Sequence, residues 1–126
     1  MKLEYLAEGS HDCPLVRLYD FAPDEAKELL AVIAKLASGA QERVEVHGLR
    51  FVEVIGGCQL ILVRRSWDQA IIQVSRPAEF ECGFTPGTWD NIAALIEPFA
   101  QSCGGCQWLA GIPGEAALML SESGQW

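Results

Sequence analysis

Residues 43–85 read RVEVHGLRFVEVIGGCQLILVRRSWDQAIIQVSRPAEFECGFT. Apolar residues recur at every second position in 44–47, 70–74 and 80–84, a spacing typical of strands with one buried face and one wet face. The stretch has no helical periodicity of its own, and one helix is predicted on either side of it. This layout indicates a sheet whose strands follow one another directly along the chain.

Turn residues divide this stretch into separate strands. The Gly56-Gly57 pair permits the positive φ angles that a tight hairpin needs. Residues 58–63 are apolar on both faces, which favours a central strand that is covered on both sides. Other turn signals are Gly48, Trp67-Asp68 and Pro77. The predicted strands of this meander are 43–47, 50–55, 58–65, 69–75 and 79–84.

Each flanking helix has a recognisable start. The first begins at Pro23, a favoured first helical position, and Ser38-Gly39 ends it. The second has Thr85 as its cap and Pro86 as its first residue, and Pro98 is expected to end or kink it. The apolar stripes at helical spacing are Ala26, Leu29, Leu30, Ile33, Leu36 and Ala37 in the first helix, and Trp89, Ile92, Ala93, Ile96 and Phe99 in the second.

The ends of the chain complete the predicted fold. Residues 3–7 and 14–19 form an opening hairpin, and 106–109 and 116–120 form two short strands after the second helix. We therefore predict a single α+β domain over residues 1–126, with a mostly antiparallel sheet of about six to eight strands and two helices packed on it. The element order is hairpin, helix, meander, helix and two strands, without an internal repeat.

Composition limits the classes of function. The net charge is −8, and Lys and Arg are absent after Arg76, where six carboxylates follow. Such a surface repels phosphate backbones, which argues against a nucleic-acid partner. No segment approaches the roughly 18 apolar residues of a membrane span, and the first residues do not resemble a secretory signal. We expect a cytoplasmic protein without a membrane partner.

The cysteines are the sharpest local signal. Five cysteines are an odd set without an export signal, so reduced thiols are expected. Cys103 and Cys106 have the spacing that can chelate a soft cation such as zinc or form a redox disulfide. A closed zinc site needs four ligands, and His11 and Cys13 are the nearest candidates for the other two. The alternative is a glycine-rich helix stop that contains two thiols.

Other residues suggest contacts rather than catalysis. Arg64 and Arg65 should point to opposite sides of their strand, and an inward arginine there or at Arg17 would require a carboxylate or an anionic ligand. Trp67 lies in a turn and is a candidate for partner contact, with core contact as the alternative. His47 is expected on the exposed face of its strand, without a recognisable nucleophile arrangement around it.

The chain resembles a family of small uncharacterised bacterial α+β proteins of unknown function. The resemblance rests on Glu8-Gly9-Ser10, Asp12-Cys13-Pro14-Leu15, Arg17-Leu18-Tyr19-Asp20-Phe21, Trp89-Asp90-Asn91, Leu95-Ile96-Glu97-Pro98-Phe99, Gln107-Trp108-Leu109 and the segment from Leu120-Ser121 to Trp126. It spans nearly the whole chain and implies a free-standing domain, but it transfers no site.

The favoured function is a cytosolic binding or interaction module that associates with itself or with another protein. Its contact surface would be the sheet face with Arg64, Arg65 and Trp67, and no cofactor is expected. This hypothesis is preferred because no complete catalytic constellation or nucleotide loop is present. The alternative is a metal- or thiol-dependent protein that uses Cys103 and Cys106. A third hypothesis places a small-molecule site at His11 and Asp12 in the hairpin turn.

Overall fold

The computed structural model describes residues 1–9, 11–75, 77–102, 104–111 and 116–126. Two helices and nine strands occur within these ranges. In chain order they are β1 (Lys2–Leu6), β2 (Leu15–Tyr19), α1 (Pro23–Ser38), β3 (Arg43–Glu45), β4 (Glu53–Ile55), β5 (Gln59–Arg64), β6 (Ala70–Ser75), β7 (Glu79–Phe84), α2 (Pro86–Ala100), β8 (Cys106–Ala110) and β9 (Ala117–Ser121). The predicted α+β class is confirmed.

The strands form two sheets. The first sheet has the order β4-β1-β2-β9-β8, and the second has the order β3-β5-β7-β6. Sequential hairpins pair antiparallel, whereas β1–β4, β2–β9 and β5–β7 pair parallel. The prediction of one sheet with about six to eight strands was therefore too simple. The meander prediction was wrong as well, because β7 inserts between β5 and β6.

The connectivity of the first half of the chain recurs in the second half. If β4 is left out, the same order of elements occurs twice: a hairpin, a helix and a pair of strands. The first half is β1-β2-α1-β3-β5, and the second half is β6-β7-α2-β8-β9. Each sheet combines the hairpin of one half with the strand pair of the other, and a central parallel pair joins them. The sequence prediction of no internal repeat missed this, because the halves share topology rather than residues.

Local sequence explains the helix boundaries. Glu25 accepts a hydrogen bond from the Ala22 backbone N–H at the start of α1, and Gly39 closes this helix with a φ of 85°. The Thr85 hydroxyl accepts from the Thr88 N–H at the start of α2. Pro98 lies in the last turn of α2 and does not end it, since the helix continues to Ala100.

One core joins both sheets and both helices. The rings of Tyr5 from the first sheet and Phe80 from the second have their centroids 4.6 Å apart. Trp89 of α2 is fully buried, and its indole N–H donates to the Val63 carbonyl over 3.1 Å. These contacts bury the inner face of each sheet, so the outer faces and the edges are the parts of the sheets that remain open to binding. No helix in the described ranges is long and apolar enough to cross a membrane.

Candidate functional site

Arg17 occupies the centre of the outer face of the first sheet. The antiparallel register places it opposite Glu4, and its Nε and Nη2 donate to Glu4 Oε1 over 3.1 and 2.6 Å. Its guanidinium lies 3.9 Å from the centroid of the Tyr19 ring and 5.7 Å from that of Trp126. The cation predicted to need a carboxylate therefore has one, and the aromatic rings cover it.

Residues 122–126 cross the same outer face as a strap. Arg17 Nη1 donates to the Gly124 carbonyl over 2.7 Å, and the Ser121 hydroxyl donates to the Gln125 carbonyl over 2.7 Å. The Trp126 indole N–H donates to Asp12 Oδ2 over 3.0 Å. The strap is thus fixed at three points along the face.

The strap and the opening hairpin turn border an open depression of about 570 Å³. It is lined by His11, Asp12, Gly124, Gln125 and Trp126. The structure therefore brings together the two residues proposed for a small-molecule site. However, His11 is almost fully exposed, at 3.5 Å from Asp12 Oδ1, and Asp12 is bonded to Trp126. The depression is open to solvent, and the small-molecule hypothesis stays a prediction.

The structure does not bring Cys13 and Cys106 together. Cys106 pairs with Ser121 at one end of β9, whereas the carbonyl of Pro14 accepts from the Ala117 N–H at the other end. The length of β9 separates these ends by about 13 Å, far beyond the reach of a shared metal ion. Cys103 lies outside the described residues, so its pairing with Cys106 stays a prediction.

The remaining thiols agree with the expectation of reduced cysteines. Cys58, Cys82 and Cys106 are free thiols. Burial raises the pKa of Cys58 to about 12, and burial also raises the pKa of Cys82. Among the described residues, no three His, Cys, Asp or Glu side chains converge to hold a metal ion.

The two arginines predicted for partner contact point in opposite directions, and both make contacts within the chain. Arg65 Nη2 donates to Glu81 Oε1 over 2.5 Å on the outer face of the second sheet. Hydrogen bonds from Arg65 and then Gln69 hold the pKa of Glu81 below its usual value. The Arg64 guanidinium packs on Gly39 at the end of α1, where the helix dipole favours a positive charge.

Trp67, in contrast, is available for contact. Its side chain is 57% exposed, the largest value among the apolar residues that are described as exposed. The adjacent Asp68 accepts from the Thr85 N–H over 2.9 Å and from the Thr88 hydroxyl over 2.8 Å. These bonds fasten the loop to the start of α2, so Trp67 is presented by a fixed segment.

The sequence reasoning missed the edge strand β6. It is the terminal strand of the second sheet, and no other described strand pairs with its outer side. In the repeated topology β6 corresponds to β1, whose outer edge is covered by β4. One feature of the sequence could have indicated an open edge. Charged residues and proline commonly protect edge strands, and Ala70–Ser75 contains neither.

His47 was predicted on a strand, and this was wrong. The strand β3 ends at Glu45, and Val46–Gly48 form a 3₁₀ turn. His47 Nδ1 accepts the Leu60 backbone N–H over 3.2 Å. This contact gives the imidazole a role in holding the turn against β5.

No protein-family model, curated protein or solved structure matches the chain. The resemblance to small bacterial α+β proteins therefore stays a prediction.

Proposed function

We propose that the protein is a protein–protein interaction module whose binding surface is the open edge of β6 together with Trp67. The observation that carries this proposal is the difference between the two sheets. The first sheet has β4 on the outer edge of β1, and the second sheet has no described strand at the corresponding edge. A partner strand at β6 would give the second sheet the same five-stranded order.

The chemistry of β6 supports pairing with another strand. Its sequence is AIIQVS, which is rich in β-branched residues and carries no charge. An uncharged edge strand of this kind can serve as a template for the addition of a partner strand. The strand is irregular at both ends, since Ala70 has a φ of 64° and the register with β7 shifts between Gln73 and Ser75, at Val74.

Two exposed apolar side chains flank the edge. Trp67 lies just before β6 and is 57% exposed, and Val74 lies near its end and is 46% exposed. Exposed aromatic residues are enriched in the centres of interfaces. Because Asp68 holds the loop, ordering Trp67 on binding costs little conformational entropy.

A comparison of bait proteins tests this function. Tagged wild-type protein and the variants Val74→Lys, Leu95→Lys and Trp108→Lys are incubated with a lysate that also contains untagged copies of the chain. Leu95 is an exposed apolar residue of α2, and Trp108 is an exposed residue of the edge strand β8. Leu95→Lys controls for the addition of a charge away from any sheet edge. Trp108→Lys controls for the addition of a charge to the edge strand of the first sheet.

The expected result is a protein retained by the wild type and both controls but not by Val74→Lys. A lysine at this position places a charge at the edge and opposes strand addition. Equal retention by all four baits, or no retention by any, contradicts the proposed function. Loss with Trp108→Lys alone would move the binding surface to β8 and would contradict the assignment to β6.

A further inference from the structure

We infer that the partner strand at β6 is β6 of a second copy of this chain, paired antiparallel about a two-fold axis. The inference rests on the proposed function and names its partner. Two second sheets would then join into one continuous sheet across the dimer. Such an interface is self-complementary and closes after two subunits, so it produces a dimer rather than a fibre.

Charge favours this edge for contact between two acidic chains. The whole chain carries −8, and like charges oppose its self-association. Residues Ala70–Ser75 carry none of this charge. On the adjacent strand β7, Glu81 is neutralised by Arg65 at 2.5 Å. The strand itself therefore adds no repulsion between two copies, and the Arg65–Glu81 pair is satisfied within each chain. Two further carboxylates lie beside the strand, Asp68, which is hydrogen-bonded to Thr85 and Thr88, and Glu79, which pairs with Ser75.

The positions of the apolar side chains fit an antiparallel arrangement. Trp67 precedes β6 and Val74 lies near its other end. When two β6 strands run in opposite directions, the Trp67 end of one copy lies beside the Val74 end of the other, and two-fold symmetry repeats the contact. A parallel arrangement would place each residue beside its own counterpart and leave Val74 without an aromatic partner.

Sedimentation of the purified protein over a range of concentrations tests for the dimer. We expect a monomer–dimer equilibrium for the wild type, and a dissociation constant at least about tenfold higher for Val74→Lys. Leu95→Lys and Trp108→Lys should leave the constant unchanged. Circular dichroism and thermal melting of each variant confirm that it is folded, so loss of the dimer reports the edge and not unfolding.

Cross-linking tests the antiparallel geometry. Ser66 precedes β6 and Ser75 is its last residue, and both are exposed, so cysteine replaces each without removing Trp67 or Val74. Two proteins, one Ser66→Cys and the other Ser75→Cys, are mixed in a background in which Cys13, Cys103 and Cys106 are serine. A flexible bis-maleimide should join position 66 of one copy to position 75 of the other, but not position 66 to position 66.

The outcomes separate the inference from the proposed function. A 66–66 link, or a dimer insensitive to Val74→Lys, overturns the antiparallel pairing at β6. A protein that stays monomeric throughout, while the wild-type bait retains a different protein that Val74→Lys loses, overturns the inference and leaves the proposed function standing. If the protein stays monomeric and the wild-type and Val74→Lys baits retain the same proteins, both the inference and the proposed function are overturned.

Discussion

Arg17 of β2 and Glu81 of β7 occupy the same position in the two sheets, with opposite charge. Each is the third residue of its strand, and each lies in the central parallel pair, beside Met119 of β9 and Ile61 of β5 respectively. Each is neutralised on the outer face, Arg17 by Glu4 and Glu81 by Arg65. Arg17 and Glu81 thus hold corresponding positions, but their partners do not correspond, because Glu4 lies on β1 and Arg65 follows the end of β5. Both ion pairs form within the chain.

Replacing Arg17 with glutamine should lower the free energy of unfolding by about 2 kcal/mol. The change leaves Glu4 without its cation in a site where both side chains are largely buried, and it removes the bond to the Gly124 carbonyl. Chemical denaturation measures the effect. Arg50→Gln is the control, since Arg50 is 88% exposed in its pair with Glu28 and should change stability by less than about 0.5 kcal/mol. Equal effects would show that the Arg17 pair contributes no more than a surface pair.

Stability should fall in acid, and Glu81 should contribute to the decrease. Because Arg65 and Gln69 hold the pKa of folded Glu81 below its ordinary 4.5, folding favours the ionised form. Its contribution is present above pH 4.5 and is lost as the pH falls through the folded-state pKa. Backbone and hydroxyl donors from Thr85 and Thr88 lower the pKa of Asp68 in the same direction.

Urea denaturation at a series of pH values measures this dependence. Glu81→Gln should flatten the acid side of the plot of unfolding free energy against pH. Glu97→Gln, on the exposed side of α2, controls for the loss of one negative charge. An unchanged slope in Glu81→Gln would contradict the lowered pKa of Glu81.

Alkylation should divide the thiols into two groups. Cys58 and Cys82 are fully buried with raised pKa values, so they hold few thiolates and present no accessible sulfur. Cys106 is exposed at the start of β8. Mass spectrometry after a short iodoacetamide treatment should find label at Cys106 and none at Cys58 or Cys82 until denaturant is added. Label at Cys82 at the rate of Cys106 would show that β7 opens in the native state.

The helices could be predicted from sequence because their boundary signals are local. Pro23 and Gly39 lie within or beside the helix that they bound, and α1 has the predicted limits. The parallel pairs were not predictable in this way. Leu15 pairs with Ala117 and Gln59 with Glu79, and no local pattern indicates such distant partners. The meander prediction assumed that strands adjacent in sequence pair in space, which fails where β7 inserts beside β5.

The candidate site was predictable only in part. The exposure of Trp67 follows from its turn, as the sequence suggested. Arg65 is neutralised by Glu81 of β7, a strand that does not follow β5 directly in the sequence. The sequence therefore could not show that Arg65 has a partner within the chain, and Arg65 was included in the predicted contact surface. The position of β6 at the edge follows from the strand order of the second sheet. That order depends on the parallel pairing of β5 with β7, which the sequence did not predict.

Gly124 allows the strap to approach the first sheet, and Gly124→Ala should be more destabilising than the same change at Gly56. Both glycines have positive φ, 87° and 68°, so alanine adds backbone strain of about 1 kcal/mol at either position. At Gly124 the new Cβ would also lie 2.9 Å from Tyr19 Cδ2, whereas nothing lies within 4 Å at Gly56. The clash displaces the strap from Arg17, and we expect a further loss of about 1 kcal/mol. Denaturation of both variants measures the difference. Backbone strain is common to both positions. If both variants lose the same free energy of unfolding, the contact with Tyr19 adds no cost, and the prediction is wrong.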